Sequence, residues 1–415
     1  MSMDTQWYID NKLVHSVHTS ERRAFRSCRR RWDWTYRRMF YPLVTPEPLE
    51  FGVAFHKAME YYYQPETWHD KETARQLAMV AFKHSCDAQF KEYKRLNGDP
   101  SWETTARYRD RVELGNNMLS YYFDDVAPLY DADWTPVEVE VAFEVPIKDE
   151  NGNPVFCKCE RCQKKIKDFQ FKNQLVDRVR KYFNFDMLVS LDKEKWPGLP
   201  VTYGGRLDAL FKDQHDRYWI ADWKTTSRIL DEDKEASFLQ LDDQITSYAW
   251  ALWSMGIDIA GFVYVEFKKS WPKAPERLQR AYKGRMFSTN KQNLSSVKIF
   301  KEVVEAEDFE AYDMGLYDEY LEWLKIDGPK FTQRHQIHRN TNELKNAGLN
   351  IAYECMDIVG APRIYPQAGR FSCPTCLFQQ PCIGTNMGED VEYMFENLFE
   401  RRPVHYYEEK PASTE

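Results

Sequence analysis

No run of about 18 apolar residues occurs in this chain, so no membrane-spanning helix is expected. The opening MSMDTQWYIDNKLVHSVHTSERR lacks the apolar core of a signal peptide. A soluble, intracellular protein of the cytoplasm is the expectation. No Gly-x-x-x-x-Gly-Lys-Ser/Thr is present, so the chain carries no P-loop motor of its own. An excess of positive charge is missing as well: the net charge is −8. Binding to a polyanion would therefore depend on local basic patches, not on the whole surface. Structural disulfides are not expected in a reducing compartment. Nine cysteines there point to metal wherever they cluster.

The 415 residues, 43% hydrophobic, can bury a sizeable core in two or three domains or in one elaborated domain. Aromatics reach 15%. Packing is their usual use, and stacking on bases is another.

The organising stretch is GGRLDALFKDQHDRYWIADWKTT, residues 204–226. Two β-type runs, GRLDALF and RYWIADWKT, flank the polar turn KDQHD, which is a hairpin pattern. Residues two apart on a strand share a face. Asp222 and Lys224 therefore point together, beside Asp208 on the neighbouring strand. Two carboxylates and an ammonium on one face suit a divalent cation that activates water against a phosphodiester. A solvated, salt-bridged sheet edge would carry the same three residues, so the rest of the chain must decide.

From the N-terminus, Ser20 offers an N-cap, and SERRAFRSCRRRWDWTYRRMFYP reads as one helix ended near Pro42. Phe25, Cys28, Trp32, Tyr36 and Met39 form its apolar stripe. Arg29, Arg30 and Arg31 lie on its basic faces and are candidate phosphate contacts. In PLEFGVAFHKAMEYYY, Gly52, His56 and Glu60 recur every four residues and share a helix face. Residues 72–127 read as polar helices that form a lobe over the core. TPVEVEVAFEVPI is a strand with Glu138 and Glu140 on its polar side. Cys157, Cys159 and Cys162 follow in a Lys-rich insertion. Three close thiolates suggest zinc if the fold brings Cys86 or Cys355 in as the fourth ligand, and free thiols or an incomplete site are the alternative.

After the hairpin, SFLQLDDQITSYAWALWSMG reads as a helix, with Gln240, Gln244 and Tyr248 along one side. IAGFVYVEFKK is a strand. A basic stretch with interleaved aromatics follows, and Lys268, Lys269 and Trp271 suit a single strand of DNA. Residues 307–325 and 337–358 read as amphipathic helices. Cys373, Cys376 and Cys382 precede a polar tail, from Glu408, that is expected to be disordered. Three C-terminal cysteines need a fourth, and Cys28 is the natural candidate.

Gly52-x-x-x-His56, Asp208, Asp222-x-Lys224, Gln244-x-x-x-Tyr248 and the four cysteines occur in an order that resembles the PD-(D/E)xK nucleases. The likeness is to their RecB-type branch, which includes the CRISPR-associated RecB-like exonucleases. It covers most of the chain. It implies an α/β fold with a restriction-endonuclease-like core: a mixed central sheet flanked by helices, a helical N-terminal lobe and an iron–sulfur-stapled C-terminal region. The expected divisions are 1–130, 131–270 with an insertion at about 148–175, 271–360 and 361–415.

The resemblance further implies that Gly52 permits a close backbone approach. His56, Asp208, Asp222 and the carbonyl of Trp223 would hold Mg²⁺ or Mn²⁺, and Lys224, Gln244 and Tyr248 would complete the catalytic set. Cys28, Cys373, Cys376 and Cys382 would bind a [4Fe–4S] cluster, although their ligand type alone fits zinc equally. The insertion and the acidic residue of the first motif depart from the pattern; Glu60 or Glu138 would fill the latter, or neither. The implied activity is a DNA exonuclease on single strands or free ends, leaning 5′-to-3′. Recombination, repair or phage DNA processing is the expected setting, with a helicase or recombination partner and no membrane. A non-catalytic DNA-binding or assembly subunit on the same fold is the alternative. A redox protein of another class is a third reading.

Overall fold

The computed structural model describes residues 5–43, 47–174, 197–230, 236–361 and 363–401. The tail from Glu408 lies outside the described residues. Strands, in chain order, are β1 (His15–Val17), β2 (Phe40–Pro42), β3 (Trp134–Pro146), β4 (Phe156–Cys157), β5 (Leu199–Asp213), β6 (Tyr218–Thr226), β7 (Ile259–Lys268), β8 (Arg277–Tyr282), β9 (Arg285–Phe287), β10 (Thr332–Ile337) and β11 (Phe399–Arg401).

Seven of them form one mixed sheet in the order β1-β5-β6-β7-β10, with β3 and β4 also on β5. The β5–β6 hairpin is antiparallel, and β6 runs parallel to β7. Alternation splits the core between the two faces. Leu210, Ile220 and Phe262 pack under helices Asp243–Ser254 and Thr341–Gly360. Phe211, Ala221, Val263 and Val265 pack under helices Glu47–Tyr62, Lys71–Asn97 and Trp102–Tyr121. The fold is therefore α/β, a mixed sheet covered on both sides, and the polar helices at 72–127 do form a layer over it.

Several local expectations fail for identifiable reasons. The N-terminal helix is not continuous. It begins at Thr19, with His18 rather than Ser20 at the cap, and ends at Ser27. Cys28 is extended (φ −164°), and a new helical stretch starts at Arg29. The C-terminal segment supplies the reason: Arg29 N–H donates to Gln367 Oε1 and Arg30 N–H to Tyr365 O. These acceptors satisfy first-turn amides that a continuous helix would have used internally. Downstream, Asp242 caps the next helix by accepting from Gln244 and Ile245, so Gln240 falls in a preceding 3₁₀ turn. Residues 332–337 are the missed strand β10, antiparallel to β7. The helix after it starts at Thr341 behind an Asn340/Glu343 capping box. The expected acidic helix divides around Gly315, which has φ +68°. The basic stretch forms the β8–β9 hairpin, and Phe287 joins a small separate core with Phe300 and Tyr317.

Candidate functional site

Pairing between β5 and β6 runs from Lys212↔Tyr218 to Ala209↔Ala221. Beyond that pair the two strands part. This leaves the Trp223 amide without a β5 carbonyl, and Asp208 Oδ2 accepts its N–H at 2.8 Å. The Trp223 ring is buried on the far face, stacked on Tyr63 (centroids 5.4 Å, interplanar 8°). With that ring anchored behind the sheet, Asp222 and Lys224 must both face the front. Lys224 Nζ is 2.7 Å from Asp222 Oδ2. Asp222 Oδ2 is buried and faces this ammonium. Gln244 Nε2 donates to Asp222 Oδ1 and to Tyr248 Oη, each at 3.3 Å. His56 Nδ1 reaches Asp208 Oδ2 at 3.3 Å from the helix on the other side.

The structure thus brings His56, Asp208, Asp222, Lys224, Gln244 and Tyr248 into one constellation, with Trp223 present through its backbone. Burial raises Asp222 above the ordinary carboxylate range, and the Asp208 charge adds to the rise against the opposing pull of Lys224. Burial would raise Asp208 as well, but His56, Lys224 and the Trp223 N–H outweigh it, so Asp208 is lowered. His56 and Lys224 are both raised: burial works against their charge, and the carboxylates more than offset it. A buried carboxylate and a half-buried one beside it form an all-oxygen pair that fits a hard divalent cation.

Glycines before Asp208 are the signal the sequence reading passed over. A Cβ on Gly205 would stand 2.4 Å from the Phe143 ring and 3.2 Å from Tyr248. Gly52, by contrast, is not under close approach, since its Cβ would meet nothing nearer than Thr225 Oγ1 at 3.9 Å. Of the carboxylates on β3, Glu138 is exposed. Glu140 is the inward one, at φ +53°, bonded to Arg206 at 2.8 Å. Burial raises it, and Asp208 and Glu60 add to the rise, so it is a third carboxyl group bordering the pair. Glu60 itself is held by Lys57 at 2.7 Å.

The candidate phosphate contacts on the N-terminal helix are largely engaged internally. Arg29 lies over the Phe25 ring and donates to Phe25 O. Arg30 donates to Cys382 Sγ and Asn386. The charge of Arg31 acts on Cys376. Lys268 and Lys269 sit where β7 ends, beside the end of β6, and Lys269 lies over Phe51. Trp271 carries Lys273 over its ring.

Cys28 and the C-terminal cysteines lie in one region, closed by the antiparallel pairing of β2 with β11. Three of the sulfurs receive donors: Gln367 N–H to Cys28 at 3.4 Å, Gly369 N–H to Cys373 at 3.3 Å and Arg30 Nη1 to Cys382 at 3.3 Å. Cys376 packs against the same aromatic cluster as Cys382. The insertion cysteines find their fourth neighbour in His15, not in Cys86 or Cys355. Cys86 is buried in the core on the far face of the sheet, and Cys355 is buried on helix Thr341–Gly360. His15 has no local motif in the sequence; only the pairing of β1 with β5 carries it there.

A family model described as the PD-(D/E)XK nuclease superfamily matches residues 19–382. No curated protein matches the chain.

Proposed function

Since the chain belongs to the PD-(D/E)XK nuclease superfamily, we propose that it is a metal-dependent deoxyribonuclease, an exonuclease of RecB-like type acting on single strands or free ends, leaning 5′-to-3′. The observation that carries this reading is the pair Asp208–Asp222, side by side where β5 and β6 part, with Lys224 alongside. Asp208, Asp222 and the Trp223 carbonyl would hold Mg²⁺ or Mn²⁺, with His56 at the rim. A cation bound there supplies charge neutralisation at the scissile phosphate and a more acidic bound water. Lys224 is placed to orient the attacking water and to offset the charge that develops on the phosphate oxygens. Gln244 fixes the Asp222 rotamer through its amide, and the Tyr248 hydroxyl, held protonated by burial, is a further donor facing the same space. A helicase would have to present the strand if the substrate is duplex.

We further read Cys28, Cys373, Cys376 and Cys382 as ligands of a structural [4Fe–4S] cluster. Donors aimed at three of the sulfurs favour thiolates.

The test is digestion of end-labelled linear and of circular single-stranded DNA with Mg²⁺ or Mn²⁺. Linear DNA should be degraded and circles spared. Asp222→Asn and Lys224→Met should each lower the rate by at least about 10²-fold while DNA binding persists. Full activity in either variant sinks the assignment. Binding without cleavage in the wild-type protein would favour a DNA-binding subunit on this fold instead.

A further inference from the structure

Away from the carboxylate pair, one polar cluster is already arranged as a ligand set. We propose that His15, Cys157, Cys159 and Cys162 bind a structural zinc ion that pins β1 to the insertion. Zinc bonds near 2.3 Å to sulfur and 2.0–2.1 Å to nitrogen put tetrahedral ligand atoms about 3.5–3.8 Å apart. Cys159 Sγ and Cys162 Sγ are 3.5 Å apart. His15 Nδ1 is 3.3 Å from Cys162 Sγ and 3.7 Å from Cys159 Sγ. All four donor atoms lie within 4.8 Å of one another, and the cysteines are unbridged.

The backbone prepares this arrangement. His15 is fixed by pairing with Val201, and Cys157 by pairing with Leu199. Gly198, at φ +111°, lets the chain close on Cys157: a Cβ there would stand 2.6 Å from the Cys157 carbonyl oxygen. Cys162 comes from the first turn of helix Glu160–Gln174. The Cys159 amide points at Cys157 Sγ at 3.5 Å, a donor suited to a thiolate.

A second, independent mark is a pair of buried polar atoms without partners. His15 Nε2 and Glu21 Oε2 are both buried with no hydrogen-bond partner. Glu21 is held in place by Trp32 Nε1–H at 2.9 Å. An imidazole bound through Nδ1 carries its proton on Nε2, and the Glu21 charge acts on the ring. Metal-bound histidines regularly have a carboxylate behind them. Four protein ligands complete a tetrahedron and leave no position for substrate, so the role is structural. Three thiolates and Zn²⁺ sum to −1, and Lys158, Arg161, Lys164 and Lys165 surround that charge in sequence.

The test reads metal, not cleavage, and so stands apart from the nuclease reading. Full-length protein is washed with chelator, and its zinc is measured after mercurial release. About one zinc per chain is expected in the wild type and in Cys28→Ser, with most of it lost in Cys159→Ser and Cys162→Ser. Cobalt loaded into the wild type should give the visible absorption of a tetrahedral thiolate site. His15→Cys should keep that metal and shift the band; this variant decides the matter if the serine variants do not fold. Wild-type protein without zinc overturns the proposal. So does zinc that survives Cys159→Ser but disappears in Cys28→Ser, or a cobalt band unmoved by His15→Cys.

Discussion

Two glycines near the carboxylate pair should respond in opposite ways to the same added methyl. Gly52 lies inside helix Glu47–Tyr62, one turn before His56. Its new Cβ would make an ordinary contact at 3.9 Å with Thr225 Oγ1. Replacing a helical glycine by alanine removes about 0.5–1 kcal/mol of backbone-entropy cost, so Gly52→Ala should stabilise by that order. Gly205 lies on β5, three residues before Asp208. Its new Cβ would come within 2.4 and 2.8 Å of two Phe143 ring atoms. Phe143 is buried, and its ring meets Tyr248 edge-on at 5.5 Å, so it cannot move aside without pushing Tyr248. Overpacking of this kind costs about 1–3 kcal/mol, and here the strain is delivered to a site side chain. Urea melts and single-turnover digestion of an end-labelled single strand measure both effects. Gly52→Ala should raise the urea midpoint with cleavage within about twofold of wild type. Gly205→Ala should lower the midpoint and cut cleavage by about tenfold, equivalent to roughly 1.4 kcal/mol in the barrier. Loss of cleavage in a stable Gly52→Ala protein would refute the reasoning, because substrate or cation would then have to approach the helix backbone at Gly52.

Arg22→Met should destabilise by about 3 kcal/mol in urea melts, because it strips a buried guanidinium from Asp243, Glu354 and Ser247. A change under about 0.5 kcal/mol would show that Arg26 alone satisfies both carboxylates. Cys28→Ser should abolish iron incorporation and expose both the 19–42 and 361–401 segments to limited proteolysis; protection of either segment would contradict a shared staple. Asp222 and His56 are both raised, so each holds protons that a cation must displace. Mn²⁺ affinity should therefore fall as pH drops, and calorimetry in two buffers should show protons released. Uptake would reverse the assignment. Because both folded values lie above the unfolded ones, the stability these groups contribute without metal is present at low pH and fades as pH rises through the folded values. Asp222→Asn should flatten that slope.

Alternation made the hairpin and its three charged residues legible, because a strand face is a local property of the sequence. The Gln244–Tyr248 spacing was legible for the same reason, since one helical turn fixes it. What was not legible depends on distant chain. The break at Cys28 is imposed by acceptors at Tyr365 and Gln367, more than three hundred residues away. His15 joins the insertion cysteines only through strand pairing. Glu140 takes φ +53° within its strand, which no alternating pattern foretells. β10 drew no reading from the sequence, because TQRHQI carries few strongly apolar residues, and its pairing with β7 decides its state.

The N-terminal segment runs from the region of the C-terminal cysteines to the Asp222 neighbourhood. Just before Cys28, Arg22, Arg23 and Arg26 all reach the start of the Gln244 helix. Arg22 and Arg26 hold Asp243, and Arg23 holds the capping residue Asp242. Arg23 also donates to Gln244 Oε1 at 3.4 Å, which leaves the Gln244 amide nitrogen to face Asp222. An amide whose oxygen is held from one side can present only its N–H₂ to the other. The residue that orients Asp222 is thus itself oriented by a helix whose far end is tied to the C-terminal cysteines. Arg22, Arg23 and Arg26 thus act, in the folded chain, as the mounting of the helix that carries Gln244 to Asp222.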